Sequence, residues 1–171
     1  MENNVIILAG GQGKRMKTNM PKALCNVIGE PMLEWVLTAC ENAELDDICV
    51  VKGYEGQQIE DYLAQRKSKA DICTVMQEER LGTGHAVMQA AKAHAEGNTL
   101  ILYGDAPFID AETIKGALEL HTEKDCGVTV VTSRVENPTG YGRIIRTENG
   151  ISGIVEHKDC TPMQLAITEI N

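Results

Sequence analysis

The chain has 171 residues, a length typical of one globular domain, and it is 43% apolar and 24% charged. Its formal net charge of −9 excludes the basic surface that general nucleic-acid binders and membrane-surface binders need. The apolar run Val5–Ala9 is too short for a transmembrane helix, and it lacks the basic lead-in of a signal peptide. We therefore expect a cytoplasmic protein with neither nucleic acid nor a membrane as a partner.

Apolar periodicity predicts alternating strands and helices over most of the chain. The predicted strands are residues 5–9, 47–51, 72–76, 99–103 and 128–131. The predicted helices begin at Pro31, at Gln57, at His85 and after a cap at Asp110, and they end near residues 40, 65, 95 and 120. Strands that alternate with helices form a mainly parallel sheet with right-handed crossovers, so the predicted fold class is α/β.

The pattern changes near the end of the chain. Asn149-Gly150 is a strong turn signal, and it separates the predicted strands of a β-hairpin, residues 143–146 and 151–155. Residues 164–170 are predicted as one further strand. Because no linker-like segment interrupts the sequence, we expect residues 1–171 to form one domain.

A glycine-rich loop follows the first predicted strand, and a basic segment follows the loop. No acid occurs between Glu2 and Glu30, whereas the same stretch contains Lys14, Arg15, Lys17 and Lys22. Gly10, Gly11 and Gly13 let the backbone N–H groups approach a ligand, and backbone donors followed by cations suit a polyphosphate. The alternative is a glycine-rich turn with solvated surface lysines.

Two common phosphate motifs do not match this loop. A Walker A motif needs Ser or Thr after Gly-Lys, but Gly13-Lys14 is followed by Arg15. A dinucleotide fingerprint would place its third glycine at Met16. The loop is therefore neither a P-loop nor a typical NAD-binding turn.

Polar residues also follow two other predicted strands, Gln77 after the third and Gly104-Asp105 after the fourth. In a parallel sheet the carboxyl ends of the strands form the ligand-binding edge, so these residues and the glycine loop are expected to meet there. Asp105 has two interpretations, a turn former or a carboxylate ligand for Mg²⁺. The six cysteines and four histidines show no metal-binding spacing and no convincing nucleophile.

The order of several motifs resembles one family. They are Leu8-Ala9-Gly10-Gly11-Gln12-Gly13-Lys14-Arg15-Met16 with Pro21-Lys22, Gln77, Leu81-Gly82-Thr83-Gly84-His85-Ala86, Tyr103-Gly104-Asp105-Ala106-Pro107, Pro138-Thr139-Gly140-Tyr141-Gly142-Arg143, Ile154-Val155-Glu156-His157-Lys158-Asp159 and Glu169-Ile170-Asn171. The chain resembles sugar-phosphate nucleotidyltransferases over nearly its whole length. Within them it resembles the uridylyltransferase domain of bifunctional N-acetylglucosamine-1-phosphate uridylyltransferases.

The resemblance implies a Rossmann-like nucleotidyltransferase fold, a mainly parallel sheet flanked by helices with a β-hairpin near the C-terminus. It implies Mg²⁺-dependent transfer from UTP to N-acetylglucosamine 1-phosphate, giving UDP-N-acetylglucosamine and pyrophosphate. The implied roles are nucleotide contacts from Leu8, Ala9, Gly10 and Gly11, triphosphate neutralisation by Arg15 and Lys22, contacts to uracil and ribose from Gln77, Gly82 and Thr83, Mg²⁺ binding by Asp105 beside Tyr103 and Gly104, and sugar contacts from Gly140, Glu156 and Asn171. Arg15, Lys22 and Asp105 are the expected catalytic residues.

Some alternatives stay open. Glu156 is expected either at the sugar or as an exposed or ion-paired side chain, with Lys158 as the partner of such a pair. His85 and His157 are interpreted as structural or supporting residues, because a sugar phosphate is already a dianion near neutral pH and needs no general base. The chain is expected to be an active uridylyltransferase, a nucleotide-binding remnant without turnover, or a pyrophosphorylase for another nucleotide or sugar phosphate.

The sequence ends at Asn171, within a motif that the family continues. We expect the remainder of the catalytic domain to be missing, including a downstream asparagine that shares Mg²⁺ with the aspartate. The left-handed β-helix of the family is expected to be missing too. The chain should therefore show no acetyltransferase activity and no oligomer through that β-helix.

Overall fold

The computed structural model describes residues 3–13, 16–79, 81–91 and 97–171. The chain divides into two compact units, a first unit, Met1–Leu118, and a second unit, Glu119–Asn171. Among the described residues, no helix has both the length and the apolar character that crossing a membrane requires.

Strands and helices alternate in the first unit, as the apolar periodicity predicts. Its strands are β1 (Asn3–Leu8), β2 (Asn26–Val27), β3 (Glu30–Pro31), β4 (Asp47–Lys52), β5 (Asp71–Met76) and β6 (Asn98–Tyr103). Its helices are α1 (Met32–Asn42), α2 (Gly56–Gln65), α3 (Thr83–Ala90) and the start of α4 (Ala111–Glu123). The predicted cap of α4 is confirmed, because the N–H of Thr113 donates to Asp110 Oδ1 at 2.7 Å.

The sheet of the first unit has the strand order β5-β4-β1-β6, and all of its pairings are parallel. Along β1, alternate side chains point to opposite faces. Val5 and Ile7 join the larger core with side chains of α1, α2 and α4. Ile6 packs on the other face against Ala86 and Ala90 of α3, whose small side chains let the helix lie close to the sheet. The sheet is therefore covered on both sides, as parallel sheets usually are.

Helix α1 buries one stripe of apolar side chains. Leu33, Val36, Leu37 and Cys40 are fully buried and recur at helical spacing. A polar contact fixes the opposite side, because Arg66 donates to Glu41 at 2.6 and 3.1 Å and so lowers the pKa of that carboxyl to about 2. The apolar stripe and the ion pair together hold α1 between the sheet and the end of α2.

The second unit is built on a small antiparallel sheet with the order β7-β10-β8-β9. Its elements are β7 (Ser133–Arg134), β8 (Arg143–Thr147), β9 (Gly150–Val155), α5 (Pro162–Leu165) and β10 (Glu169–Ile170). The predicted hairpin is confirmed, since β8 and β9 pair around a turn that ends at Gly150, with φ +107°. The α/β fold class, with its parallel sheet and this hairpin, is therefore as predicted.

Three details of the prediction are wrong. Pro31 is not the first helical residue, because it pairs with Asn26 in the β2–β3 ribbon and precedes α1. Residues 128–131 form no strand; the ladder is made by Ser133–Arg134 instead, which pair with β10. The predicted strand 164–170 is divided into a short helix and a strand. The capping box of Thr161 and the proline that follows it start helix α5, and β10 comes after that helix.

The helix predicted over residues 85–95 begins two residues earlier, at Thr83, and its described part ends at Ala90. The remainder of that prediction, residues 92–96, lies outside the described residues, as do Lys14 and Arg15.

Candidate active site

A pocket of about 300 Å³ opens in the first unit at the carboxyl ends of the parallel strands. It lies where the glycine loop, the segment after β5, the start of α3 and the end of β6 meet. Its walls are formed by Leu8, Ala9, Gly10, Gly11, Lys22, Ala23, Gln77, Gly82, Thr83, Ala86, Tyr103 and Asp105. The three polar features that the sequence places at the ends of separate strands therefore come together in one pocket.

The glycine loop is held against a second glycine after β4. Ala9 donates its N–H to Val51 O at 2.8 Å, and Tyr54 donates to Gly10 O at 3.2 Å. A Cβ at Gly53 would lie 3.0 Å from Gly10 O, so the two backbones are in close contact and a side chain at position 53 would be crowded. The close contact fixes the position of the Gly10 and Gly11 backbone in the pocket wall.

The end of the loop positions Lys22. Gly13 has φ +62°, and a Cβ there would lie 3.0 Å from Lys22 Cβ. The backbone N–H of Lys22 donates to Gly11 O at 3.1 Å. A residue with a side chain at position 13 would therefore be strained and would press on Lys22.

Lys22 forms an ion pair with Asp105 inside the pocket. Lys22 Nζ lies 2.5 Å from Asp105 Oδ2, and each side chain is about one third exposed. Gly104 is buried next to this pair and donates its N–H to Leu8 O at 2.9 Å, and a Cβ there would lie only 3.2 Å from Ala9 Cβ. The sheet therefore fixes the backbone that carries the carboxylate, while the carboxylate itself faces the pocket.

The start of α3 forms the opposite wall. Gly82 has φ +103°, a conformation that favours glycine, and it places Thr83 at the first turn of the helix. Unpaired N–H groups at a helix start attract anions. Gln77 is 7% exposed beside this turn, and its Nε2 donates to Gly82 O at 3.1 Å.

The pocket offers a single carboxylate as a ligand for a magnesium ion. The described residues contain no group of three or more His, Cys, Asp or Glu that would enclose a metal ion by itself. Asp105 alone presents a carboxylate in the pocket. One carboxylate together with substrate phosphates and water is a usual set of ligands for Mg²⁺, so Asp105 fits an ion brought in with a triphosphate.

The remaining predicted site residues belong to the second unit. Gly140 has φ +89° in an open turn. Glu156 is exposed, directly precedes a short 3₁₀ turn at His157–Asp159, and makes no ion pair with Lys158 among the described residues. Asn171 lies against a different glycine, because a Cβ at Gly142 would come within 2.5 Å of Asn171 Oδ1.

Two polar clusters support the second unit. Arg146 donates to both carboxylate oxygens of Glu169 at 2.9 and 2.7 Å, which lowers the pKa of that carboxyl to about 2. Arg143 is 1% exposed; it donates to Tyr141 O at 2.5 Å and lies 3.2 Å from His157 Nδ1. These contacts connect β8 to β10 and to the turn after Glu156.

Sequence reasoning missed Gly53, Gly142 and the contact that His85 makes with Gln77. A signal for Gly53 was present, since it lies two residues after a predicted strand, near the same edge of the sheet as Gly10. Nothing in the sequence distinguished Gly142 from Gly140, because the difference lies in what each residue touches. Arg15, a predicted catalytic residue, lies outside the described residues.

Comparison with known proteins defines the class of the chain. The family model of the MobA-like NTP transferase domain matches residues 5–149. The chain therefore belongs to the family of MobA-like NTP transferase domains.

Individual relatives narrow the resemblance. The bifunctional protein GlmU of Clostridium perfringens (strain SM101 / Type A) is 42% identical over 174 residues, covering 100% of this chain and 37% of that protein. The GlmU protein of Cutibacterium acnes is 43% identical, covering 98% of this chain and 40% of that protein. The predicted resemblance to the uridylyltransferase part of the bifunctional proteins is confirmed, and the chain spans about two fifths of the length of these relatives.

The fold also matches solved nucleotidyltransferases. A UTP-bound UGPase from Acinetobacter baumannii superimposes with a TM-score of 0.76 at 19% sequence identity, covering 99% of this chain and 72% of that one. At this identity the match supports the fold alone. The chain is thus an NTP transferase domain that is similar to the uridylyltransferase part of the GlmU proteins.

Proposed function

We propose that the chain transfers the uridylyl group of UTP to N-acetylglucosamine 1-phosphate, forming UDP-N-acetylglucosamine and releasing pyrophosphate. The observation that carries the proposal is the Lys22–Asp105 pair in a pocket walled by glycine backbone. A cation for phosphate and a carboxylate for Mg²⁺ lie side by side there. We assign the reaction to the cytoplasm, where the sequence analysis expects the chain to act.

The pocket suits a nucleoside triphosphate. Gly10 and Gly11 leave their backbone open to a ligand, and the start of α3 adds N–H groups on the facing wall. Lys22 neutralises phosphate charge, and Arg15 is assigned the same task from its place in the loop sequence. Gln77, Gly82 and Thr83 contact the uracil and ribose.

The metal ion is proposed to bind together with the triphosphate. Asp105 would hold Mg²⁺, and the ion would supply charge neutralisation for the phosphates and for the leaving pyrophosphate. In the described structure Lys22 and Asp105 neutralise each other. On nucleotide binding, Lys22 would turn to phosphate, and the Asp105 carboxylate would be free to hold the ion.

The reaction needs no general base from the protein. The phosphate of the sugar substrate is mostly a dianion at neutral pH, since its second pKa is about 6. Its oxygen attacks the α-phosphorus in line, and the pyrophosphate leaves with the charge that Lys22 and Arg15 stabilise. The work of the protein is to position two anions and to neutralise them.

The sugar contacts are assigned to the second unit. Gly140, Glu156 and Asn171 are proposed to contact the N-acetylglucosamine. Gly142 supports this set of residues, because the absence of a side chain there leaves room for the amide of Asn171. The exposed carboxylate of Glu156 is available to accept a hydrogen bond from a sugar hydroxyl.

A second candidate is a chain that binds UTP without turnover. The two candidates predict the same nucleotide binding and differ only in product.

The deciding experiment is pyrophosphate release with UTP, N-acetylglucosamine 1-phosphate and Mg²⁺. Asp105→Asn is expected to lower the rate at least about 100-fold, and Lys22→Met by a similar factor. Asp61→Asn, an identical change on exposed α2, is the matched control and should keep the wild-type rate. UTP binding without release would favour the second candidate, whereas equal rates in wild type and Asp105→Asn would refute the proposed site.

A further inference from the structure

The guanidinium of Arg143 is buried in the second unit without an acid beside it. Arg143 begins β8 and is 1% exposed. Among the described residues it makes no ion pair, and its Nε has no hydrogen-bond partner. Because burying a charge without an opposite charge costs free energy, stability alone does not account for an arginine at this position.

Two of its nitrogens hold two different segments of the unit. Nη1 donates to Tyr141 O at 2.5 Å, and Nη2 lies 3.2 Å from Nδ1 of His157. A guanidinium carries only donors, so Nδ1 must be the acceptor, and the ring is neutral with its proton on Nε2. Within the described part of the chain, no other group makes a hydrogen bond to this ring, so nothing competes for the tautomer.

Each group that Arg143 meets stands next to a residue proposed to contact the sugar. The adjacent pairs are Tyr141 with Gly140, His157 with Glu156, and Ile170, the β10 partner of Arg143, with Asn171. These pairs come from three separate stretches of sequence, namely the segment before β8, the segment after β9 and the end of β10. Arg143 therefore connects all three stretches.

The contact to His157 sets the course of the backbone at Glu156. His157 begins a 3₁₀ turn that ends at Asp159, and the N–H of Asp159 donates to Glu156 O at 2.8 Å. The imidazole ring thus ties this turn to β8 through Arg143, whereas the side chain of Glu156 is exposed. The backbone that carries the carboxylate is held, and the carboxylate itself is left to a ligand.

We propose that Arg143 and His157 act together as positioning residues for the sugar phosphate. Their hydrogen bond holds Glu156 where its carboxylate accepts from a sugar hydroxyl, and a displacement of about 1 Å would weaken that contact strongly. Arg143 is too deeply buried to touch the ligand itself. The inference rests on the proposed function, because it requires a sugar beside Glu156, and it adds the two residues that keep this carboxylate in place.

The test is equilibrium binding of UDP and UDP-N-acetylglucosamine to the full chain, by calorimetry. Only the second ligand carries the sugar, and neither measurement requires turnover. His157→Leu removes the acceptor for Arg143, so the affinity for UDP-N-acetylglucosamine should fall about fivefold while the affinity for UDP stays the same. His157→Asn places a carbonyl oxygen near the position of Nδ1 and should restore most of the loss.

His121→Leu is the matched control. His121 lies in the same unit, and its Nδ1 makes a hydrogen bond of 2.9 Å to Thr129 Oγ1. The same substitution there should leave both affinities unchanged.

Three results with the variants would overturn the inference. The first is an unchanged affinity for UDP-N-acetylglucosamine in His157→Leu. The second is equal weakening of both ligands, which indicates a general loss of structure. The third is a His157→Asn chain as weak as His157→Leu, because the hydrogen bond would then not be the cause.

Nitrogen NMR of wild type, labelled at its histidines, tests the geometry without relying on the leucine variant. The His157 resonances are identified by their loss in His157→Asn. Near neutral pH, Nδ1 should carry no proton and Nε2 should carry one. A proton on Nδ1 would exclude the hydrogen bond from Arg143 and overturn the inference.

Failure of the proposed function has a different signature. Wild type would then bind neither UDP nor UDP-N-acetylglucosamine, and the inference would fall with it. The expected binding pattern without pyrophosphate release would leave the inference intact and remove only the catalytic proposal.

Discussion

The two units of the chain achieve stability in different ways. The first unit buries a broad apolar core on one face of a parallel sheet and a smaller apolar cluster on the other face. In the second unit the buried side chains include two apolar ones, Ile144 and Ile170, and two charged ones, Arg143 and Glu169. The second unit also leaves large apolar side chains exposed, such as Val128 and Met163.

The difference indicates which unit can hold a rigid pocket and which unit depends on charge and turn geometry. A rigid sheet fixes backbone atoms closely, and the first unit uses that property to hold glycine loops and a carboxylate around a pocket. The second unit depends on ion pairs and turn geometry, so its stability should respond to charge and to backbone conformation. Four predictions test this contrast, from the largest expected effect to the smallest.

Truncation in the core of the first unit should have the largest effect. Leu33 is fully buried in α1, so Leu33→Ala should lower the free energy of unfolding by about 2 to 5 kcal/mol. Met163→Ala, at a position 86% exposed in the second unit, should change it by less than about 0.5 kcal/mol. Urea unfolding followed by circular dichroism measures both, and equal costs would contradict the contrast.

The contact between the two glycine loops should come next. Gly53→Ala places a Cβ 3.0 Å from Gly10 O, and the strain should cost about 1 to 3 kcal/mol. Gly10→Ala places its Cβ 3.4 Å from its nearest neighbours, an ordinary contact, so it should be tolerated. Fluorescence of Trp35, the one tryptophan of the chain and a residue of α1, follows the unfolding of both variants. A tolerated Gly53→Ala would refute the close approach.

Turn geometry should matter more than side-chain room in the second unit. Gly150 has φ +107°, so Gly150→Ala should destabilise the hairpin by about 1 to 2 kcal/mol. Gly153 in the same strand has open space and no positive φ, so Gly153→Ala is the matched control with little effect. Thermal unfolding by circular dichroism distinguishes them, and the reverse order would contradict the turn assignment.

The smallest expected effect is the acid response of the Glu169–Arg146 pair. The hydrogen bonds from Arg146 hold the pKa of Glu169 at about 2, below its ordinary 4.5, so the pair stabilises the folded chain above that ordinary value. The contribution is lost as the pH falls from 4.5 through about 2. Glu169→Gln should therefore flatten the fall of the melting temperature between about pH 5 and pH 3. Unchanged acid dependence would show that the pair contributes nothing.

Much of the first unit could be predicted, because its signals are local and mutually consistent. Apolar runs such as Val5–Ala9 have few alternatives to a buried strand, and Asp110 caps its helix through its own side chain. The failures lie where local preference and pairing compete. Residues 128–131 have the composition of a strand, yet the ladder with β10 forms at Ser133–Arg134.

The sequence by itself determined the class of fold, the glycine loop, and which residue types meet at the carboxyl edge of the sheet, because strand periodicity and chain order are sufficient for these. Only the tertiary structure decided the contacts that depend on distance across the chain. The approach of Gly53 to Gly10, the fit of Gly142 to Asn171 and the amide orientation of Gln77 are such contacts. Each joins residues that no local pattern links, and each depends on the packing of elements distant in sequence.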